Sequence, residues 1–154
     1  MPVKPLIPDT DGEYAAVNQT LTEAMGDFMI KGNAVEHSSA IGYHTAVQLG
    51  FTGTVLSAEA TFTRLSTVGG PRLGVILRYI DSQNYYFFGR QTGGTSQLKI
   101  VRVLNGVETA LASVGFGNPG SIPFKITGRA NGSTLTLDLD GVRRLTATDS
   151  TFSS

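Results

Sequence analysis

From Thr54 onward, apolar and polar residues alternate with period two. In TVLSAEATFT, Leu56, Ala58, Ala60 and Phe62 alternate with Ser57, Glu59, Thr61 and Thr63, the pattern of a strand with one face in a core and the other in water. GVILRYI places Val75, Leu77 and Tyr79 on one side and Ile76, Arg78 and Ile80 on the other, so both faces of that strand are partly covered. Asp81, Ser82, Gln83 and Asn84 supply turn chemistry as a four-residue loop, and YYFFGRQ returns as the next strand. QLKIVRVL then runs into Asn105-Gly106 and VETALASV comes back; Asn-Gly is a strong hairpin signal because both central positions of a type I′ turn need positive φ. FKITGRA, a turn at Asn131-Gly132-Ser133, TLTLDLD, a turn at Asp140-Gly141 and VRRLTAT follow. Leu135, Leu137 and Leu139 share one face there, and Thr134, Thr136, Asp138 and Asp140 the other. Strands at this spacing with tight turns predict an all-β chain, folded as a meandering antiparallel sandwich or barrel.

The amino-terminal third carries mixed signals. Tyr14, Val17, Leu21, Met25 and Phe28 have helical spacing after a capping Asp11, yet GDFMIKGNAV reads as a short hairpin around Gly32-Asn33. Residues 13–25 stay open between a short helix and an irregular crossing segment, with any helix confined to positions before Phe28. Residues 1–12, with Pro2, Pro5 and Pro8, read as an extended arm, because proline removes a backbone donor and fixes φ. Residues 13–154 read as a single domain.

Composition agrees with strands and excludes several function classes. Charged residues make up 16% of the chain, below the typical value of about 25%, and glycine reaches 19 of 154 residues. Twelve basic against twelve acidic side chains give no net charge, which argues against nucleic acid bound through its phosphates. Without cysteine there are no disulfides, thiolate metal sites or thiol nucleophiles. No stretch approaches the roughly 18 apolar residues of a membrane span, so no membrane insertion is expected. MPVKPLIPDTDGEY lacks the apolar run of a signal peptide, so the expectation is synthesis in the cytoplasm without one. His37 and His44 have no partners at metal-site spacing. G-x-S-x-G, the P-loop and the dinucleotide fingerprint are absent, so no cofactor and no enzymatic activity are expected.

Several runs together resemble the concanavalin A-like lectin/glucanase superfamily, in its laminin-G-like branch. They are G-V-I-L-R-Y-x-D-x-x-N-Y-Y, L-K-I-V-R-V-x-N-G-V and P-F-K-I-T-G-R-A-N-G-S-T-L-T-L-D-L-D-G-V, with GDFMIKGNAVEHSS and TGTVLSAEATFT upstream. The resemblance covers roughly residues 26–153 and implies a jelly-roll sandwich of two curved antiparallel sheets. It departs at the end: such domains usually continue past a motif like ATDSTFSS into a closing strand. The place of that strand is expected to be taken by the amino-terminal arm, by a neighbouring subunit, or by further chain, since an open sheet edge pairs readily.

Related glycosidases use acidic residues alternating on one strand, because a retaining mechanism needs two carboxyl groups about 5 to 5.5 Å apart. Asp138 and Asp140 come nearest, but they have no third acidic partner and are read as turn and solvated face. Some laminin-G-like domains hold calcium on loop oxygens, which makes Asp81 and Asn84 weak calcium candidates; two ligands fall short of the usual six to eight, and hairpin shaping is the favoured role. Sugars are commonly held by aromatic faces with planar polar groups, and the resemblance nominates Arg78, Tyr86 and Arg90 as ligand-binding residues on the wet side of the central hairpin. Two functional readings follow. The first is a non-enzymatic structural or adhesive subunit of a larger assembly, such as a bacteriophage capsid decoration or tail protein on a virion surface, partnered by other protein subunits or by copies of itself. The alternative is a carbohydrate-binding, lectin-like module with a surface glycan as its partner.

Overall fold

The computed structural model describes residues 22–25, 28–31, 34–37, 45–47, 53–62, 72–91, 95–117 and 123–152. Among them every regular element is a strand. The chain separates into two units, Met1–Phe51 and Thr52–Ser154.

In the first unit, β1 (Thr22–Met25) pairs antiparallel with β4 (Thr45–Val47), and β2 (Phe28–Lys31) with β3 (Ala34–His37). Lys31 pairs with Ala34, so the hairpin expected around Gly32-Asn33 is formed. The helical spacing that ran through Met25 and Phe28 is overturned at its end, because those residues lie in two separate strands. The expected arm at residues 1–12, positions 13–21 and His44 lie outside the described residues.

The second unit holds β5 (Val55–Phe62), β6 (Arg72–Asp81), β7 (Asn84–Gln91), β8 (Gln97–Leu104), β9 (Val107–Gly115), β10 (Phe124–Asn131), β11 (Thr134–Leu139) and β12 (Val142–Thr148). They form two four-stranded antiparallel sheets, β12-β11-β10-β5 and β6-β7-β8-β9. β10 packs across β6 and β7, and β12 across β8 and β9, closing the expected antiparallel sandwich. The hairpin turns carry the predicted backbone. Asn105 and Gly106 have φ of 51° and 76°, and Asp140 and Gly141 have φ of 50° and 81°, the left-handed pair of a type I′ turn.

The β6–β7 loop differs from expectation. Asp81 pairs with Asn84, leaving a two-residue turn at Ser82 and Gln83 rather than four residues. The slack is absorbed upstream in a bulge between Leu77 and Asp81, where β6 runs through Arg78, Tyr79 and Ile80 while β7 has only Tyr85. Arg78 takes a left-handed φ of 50°, which resets the alternation. Tyr79, expected beside Leu77, instead stacks on Tyr85 with ring centroids 6.1 Å apart.

Between the sheets, Val75, Leu77, Tyr86, Phe88, Leu98 and Ile100 meet Ile126, Ala130, Leu135, Leu137, Leu145 and Ala147. Each fully buried large apolar side chain contributes about 1.5–3 kcal/mol. Gly128 marks a close approach: a Cβ there would lie 2.8 Å from Val75 Cγ2 and 2.9 Å from Phe88 Cγ. On the back of the β6–β9 sheet, Phe87, Val101 and Val103 form a second cluster with Ile76 and Tyr85. The two faces of the β7 aromatics are thereby divided, Tyr86 and Phe88 inward and Tyr85 and Phe87 outward.

Candidate functional site

The three residues nominated by resemblance do not form an exposed surface. Tyr86 is 0% exposed, so its ring is core and offers no stacking face, a correction that follows from sharing its side of β7 with Phe88. Its hydroxyl donates to Asp149 Oδ1 and accepts the Phe152 N–H at 3.1 Å. Arg78 is also buried, turned inward by the bulge, and donates from Nη2 to the Thr54 carbonyl at 3.0 Å. Arg90 is buried as well, four residues along β7 from Tyr86; its Nε donates to Ser96 Oγ at 2.8 Å and its guanidinium lies 5.9 Å from the Phe116 ring centroid. Arg78 and Tyr86 are near neighbours. Arg90 stands apart, since four strand residues span roughly 13 Å.

Asp81 and Asn84 bond mainly within their own turns. Asp81 Oδ1 accepts the Gln83 N–H at 2.7 Å and Asn84 Nδ2 at 2.9 Å, and Asn84 Oδ1 accepts the Asn105 N–H at 3.0 Å. This is the hairpin-shaping arrangement. Among the described residues no cluster of three or more His, Cys, Asp or Glu side chains is placed to hold a metal ion.

A different surface gathers polar chemistry: the outward face of the β12-β11-β10-β5 sheet. Alternation on these strands sends Ile126, Ala130, Leu135 and Leu137 inward and leaves their neighbours outward. The register then lines up Ser57, Arg129, Thr136 and Thr146 in one row and Glu59, Thr127, Asp138 and Arg143 in the next. Lys125, one row further, pairs with Glu59 at 3.4 Å. Asp138 is the centre of the face. Arg129 Nη1 donates to its Oδ2 and Arg143 Nε to its Oδ1. The Asp138 side chain is 7% exposed while those of Arg129 and Arg143 are 47% and 49% exposed.

Burial alone would raise the Asp138 carboxyl, but hydrogen bonds from Arg143 and Arg129, with their charges, outweigh it and hold the group below the usual carboxylate range. Asp138 is therefore a fixed anion that clamps two guanidinium groups, not the solvated residue expected. Asp140 does keep its expected turn role, with φ of 50° and Oδ1 accepting the Lys125 N–H at 2.7 Å. Thr127 and Thr136 beside Asp138 are buried too. The result is a platform of hydroxyl, carboxylate and guanidinium groups with fixed positions and, among the described residues, no aromatic ring. Such groups suit a ligand rich in hydroxyls, since planar guanidinium and carboxylate groups hydrogen-bond in defined directions.

The fold and this face define a β-sandwich with one polar sheet surface. Neither a family model nor a curated protein matches the chain. Among solved structures the fold is similar to that of the carbohydrate-binding module CBM66 from Bacillus subtilis, with a TM-score of 0.72 and 19% identity over 88% of this chain and 83% of that one.

Proposed function

We propose that the protein is a non-catalytic carbohydrate-binding module that uses the outward face of the β12-β11-β10-β5 sheet. The observation that carries this reading is the fold likeness to a carbohydrate-binding module over most of both chains. It favours the lectin-like alternative over the virion-subunit reading, for which the fold likeness offers no support. The finer assignment of the sandwich to the laminin-G-like branch belongs to the same proposal, as does a place of action where glycans are exposed. Binding here means multiple hydrogen bonds from Arg129, Arg143 and the exposed hydroxyls of Ser57 and Thr146 to a sugar, with Asp138 keeping both guanidinium groups in place.

The test is a glycan array probed with the 154-residue chain, followed by titration of the best ligand. Hydrogen bonds to charged groups contribute about 1.5–3 kcal/mol, so Arg129→Ala, titrated below the melting temperature it keeps after Asp138 loses one of its two partners, should weaken the affinity by roughly ten- to a hundredfold. Lys99→Ala, on the outward face of the other sheet, should leave it unchanged. An array without signal, or an affinity indifferent to Arg129→Ala, would count against this face as a sugar site.

A further inference from the structure

We infer that the ligand of this face is an acidic sugar, one bearing a carboxylate or a sulfate, an inference that rests on the carbohydrate-binding reading of the same site. The chain as a whole carries no net charge, but its charges are not evenly presented on this surface. Lys125, Arg129 and Arg143 stand against Glu59 and Asp138, three cations to two anions. Asp138, moreover, is covered by its partners, so what faces solvent around it is guanidinium rather than carboxylate.

The donors left over have the right form. Arg143 engages Asp138 through Nε and Arg129 through Nη1, and each guanidinium carries five N–H donors in a planar fork. Among the described residues, both Nη groups of Arg143 and the Nε and Nη2 groups of Arg129 have no protein acceptor in the bonds that define the triad. Because both guanidinium groups are bound to one carboxylate, they are held no further apart than that carboxylate and two hydrogen bonds allow. A neutral sugar offers hydroxyls, each of which meets one donor. A sugar carboxylate or sulfate offers a planar or tetrahedral set of oxygens that accepts two N–H groups at once, the geometry for which arginine is suited. A partly buried charge triad is weak evidence for stability, because desolvation offsets most of the attraction. Presenting two fixed cations on an otherwise hydroxyl-rich face gives the triad a purpose that stability does not.

The experiment uses a matched pair of polymers, polygalacturonate and its fully methyl-esterified form, which share a backbone and differ in the carboxylate, alongside an array holding carboxylated, sulfated and neutral glycans. The expected result is acidic glycans bound at least tenfold more tightly than neutral counterparts, with affinity falling as salt is raised. Arg143→Gln should remove at least tenfold of that preference. Arg143→Lys, which keeps the charge beside Asp138 and so protects the fold, should lose the preference only in part. Neutral glycans bound as tightly as acidic ones, or acidic binding unmoved by Arg143→Gln, would overturn the acidic-ligand inference and leave the carbohydrate reading standing. Silence toward every glycan class would overturn both.

Discussion

Phe88→Ala is expected to lower the unfolding free energy by about 3–5 kcal/mol, the range for truncating a large aromatic core residue. Phe88 is 0% exposed on the inner face of β7, and the space across from it is occupied by the backbone of Gly128 rather than by a side chain. The expected readout is a denaturant midpoint shifted down with an unchanged slope. Gly128→Ala alone should also destabilise, by about 1–3 kcal/mol, because the added methyl meets Phe88 Cγ at 2.9 Å and Val75 Cγ2 at 2.8 Å. Combined with Phe88→Ala, the same methyl enters vacated space, so the double variant should cost less than the two single changes together. Strict additivity would mean that the sheets do not meet at this point, since coupling is expected only between groups in contact.

The sandwich was legible because each strand kept one face apolar, and because Asn105-Gly106 and Asp140-Gly141 dictate a turn that few other dipeptides tolerate. The amino-terminal strands were harder to read. β1, β2 and β3 have four residues each and β4 three, too short for a period of two to be told from a period of 3.6.

The site was partly legible, through a signal that the alternation alone does not carry. A two-residue turn at Gly132 and Ser133 pairs Asn131 with Thr134, which places Thr127 beside Asp138; the turn at Asp140 and Gly141 pairs Leu139 with Val142 and brings Arg143 beside Asp138. Counting back from those turns locates Asp138 next to Arg143 and one row from Arg129, whereas reading TLDLDG by itself shows only two acids in a strand end. Arg78 and Tyr86 illustrate the reverse case. Their residue types suit sugar binding, but a bulge turns Arg78 inward and the register of β7 turns Tyr86 inward. Bulges leave no trace in a two-residue period.

Asp149→Ala should be nearly as damaging as losing a core aromatic, although Asp149 lies beyond the last strand. Its carboxylate accepts the Tyr86 hydroxyl on Oδ1 and Arg102 Nη1 on Oδ2 at 2.8 Å, and its own N–H donates to the Ser133 carbonyl at 2.9 Å. Arg102 Nη1 reaches on to Thr151 Oγ1 at 3.0 Å, and the Phe152 ring meets the Tyr86 ring edge-on with centroids 5.0 Å apart. The segment after β12 is thus tied to the core through one carboxylate. Removing it leaves a buried hydroxyl without its carboxylate acceptor and a largely buried guanidinium with only the Thr151 hydroxyl, which costs about 3 kcal/mol, the lower end for a broken buried pair because the Arg102 side chain is 25% exposed. At roughly 2–4 °C per kcal/mol for a chain of this size, the melting temperature should drop by roughly 6–12 °C. The pH dependence carries the same signature. Burial would raise the Asp149 carboxyl, but bonds from Tyr86 and Thr151 and the Arg102 charge hold it below its ordinary value. Its contribution is therefore full above the unfolded carboxylate pKa of about 3.9 and is lost as pH falls below that value. Burial, then the bond to Asp149, push the Tyr86 hydroxyl from 10.0 up to about 12, so that contribution is full below pH 10 and is lost as pH rises toward 12. The native protein should lose stability at both limits. Asp149→Ala should flatten the acid limb and Tyr86→Phe the alkaline one. A melting temperature for Asp149→Ala within a degree of the native value would show that the tail is not anchored through this carboxylate.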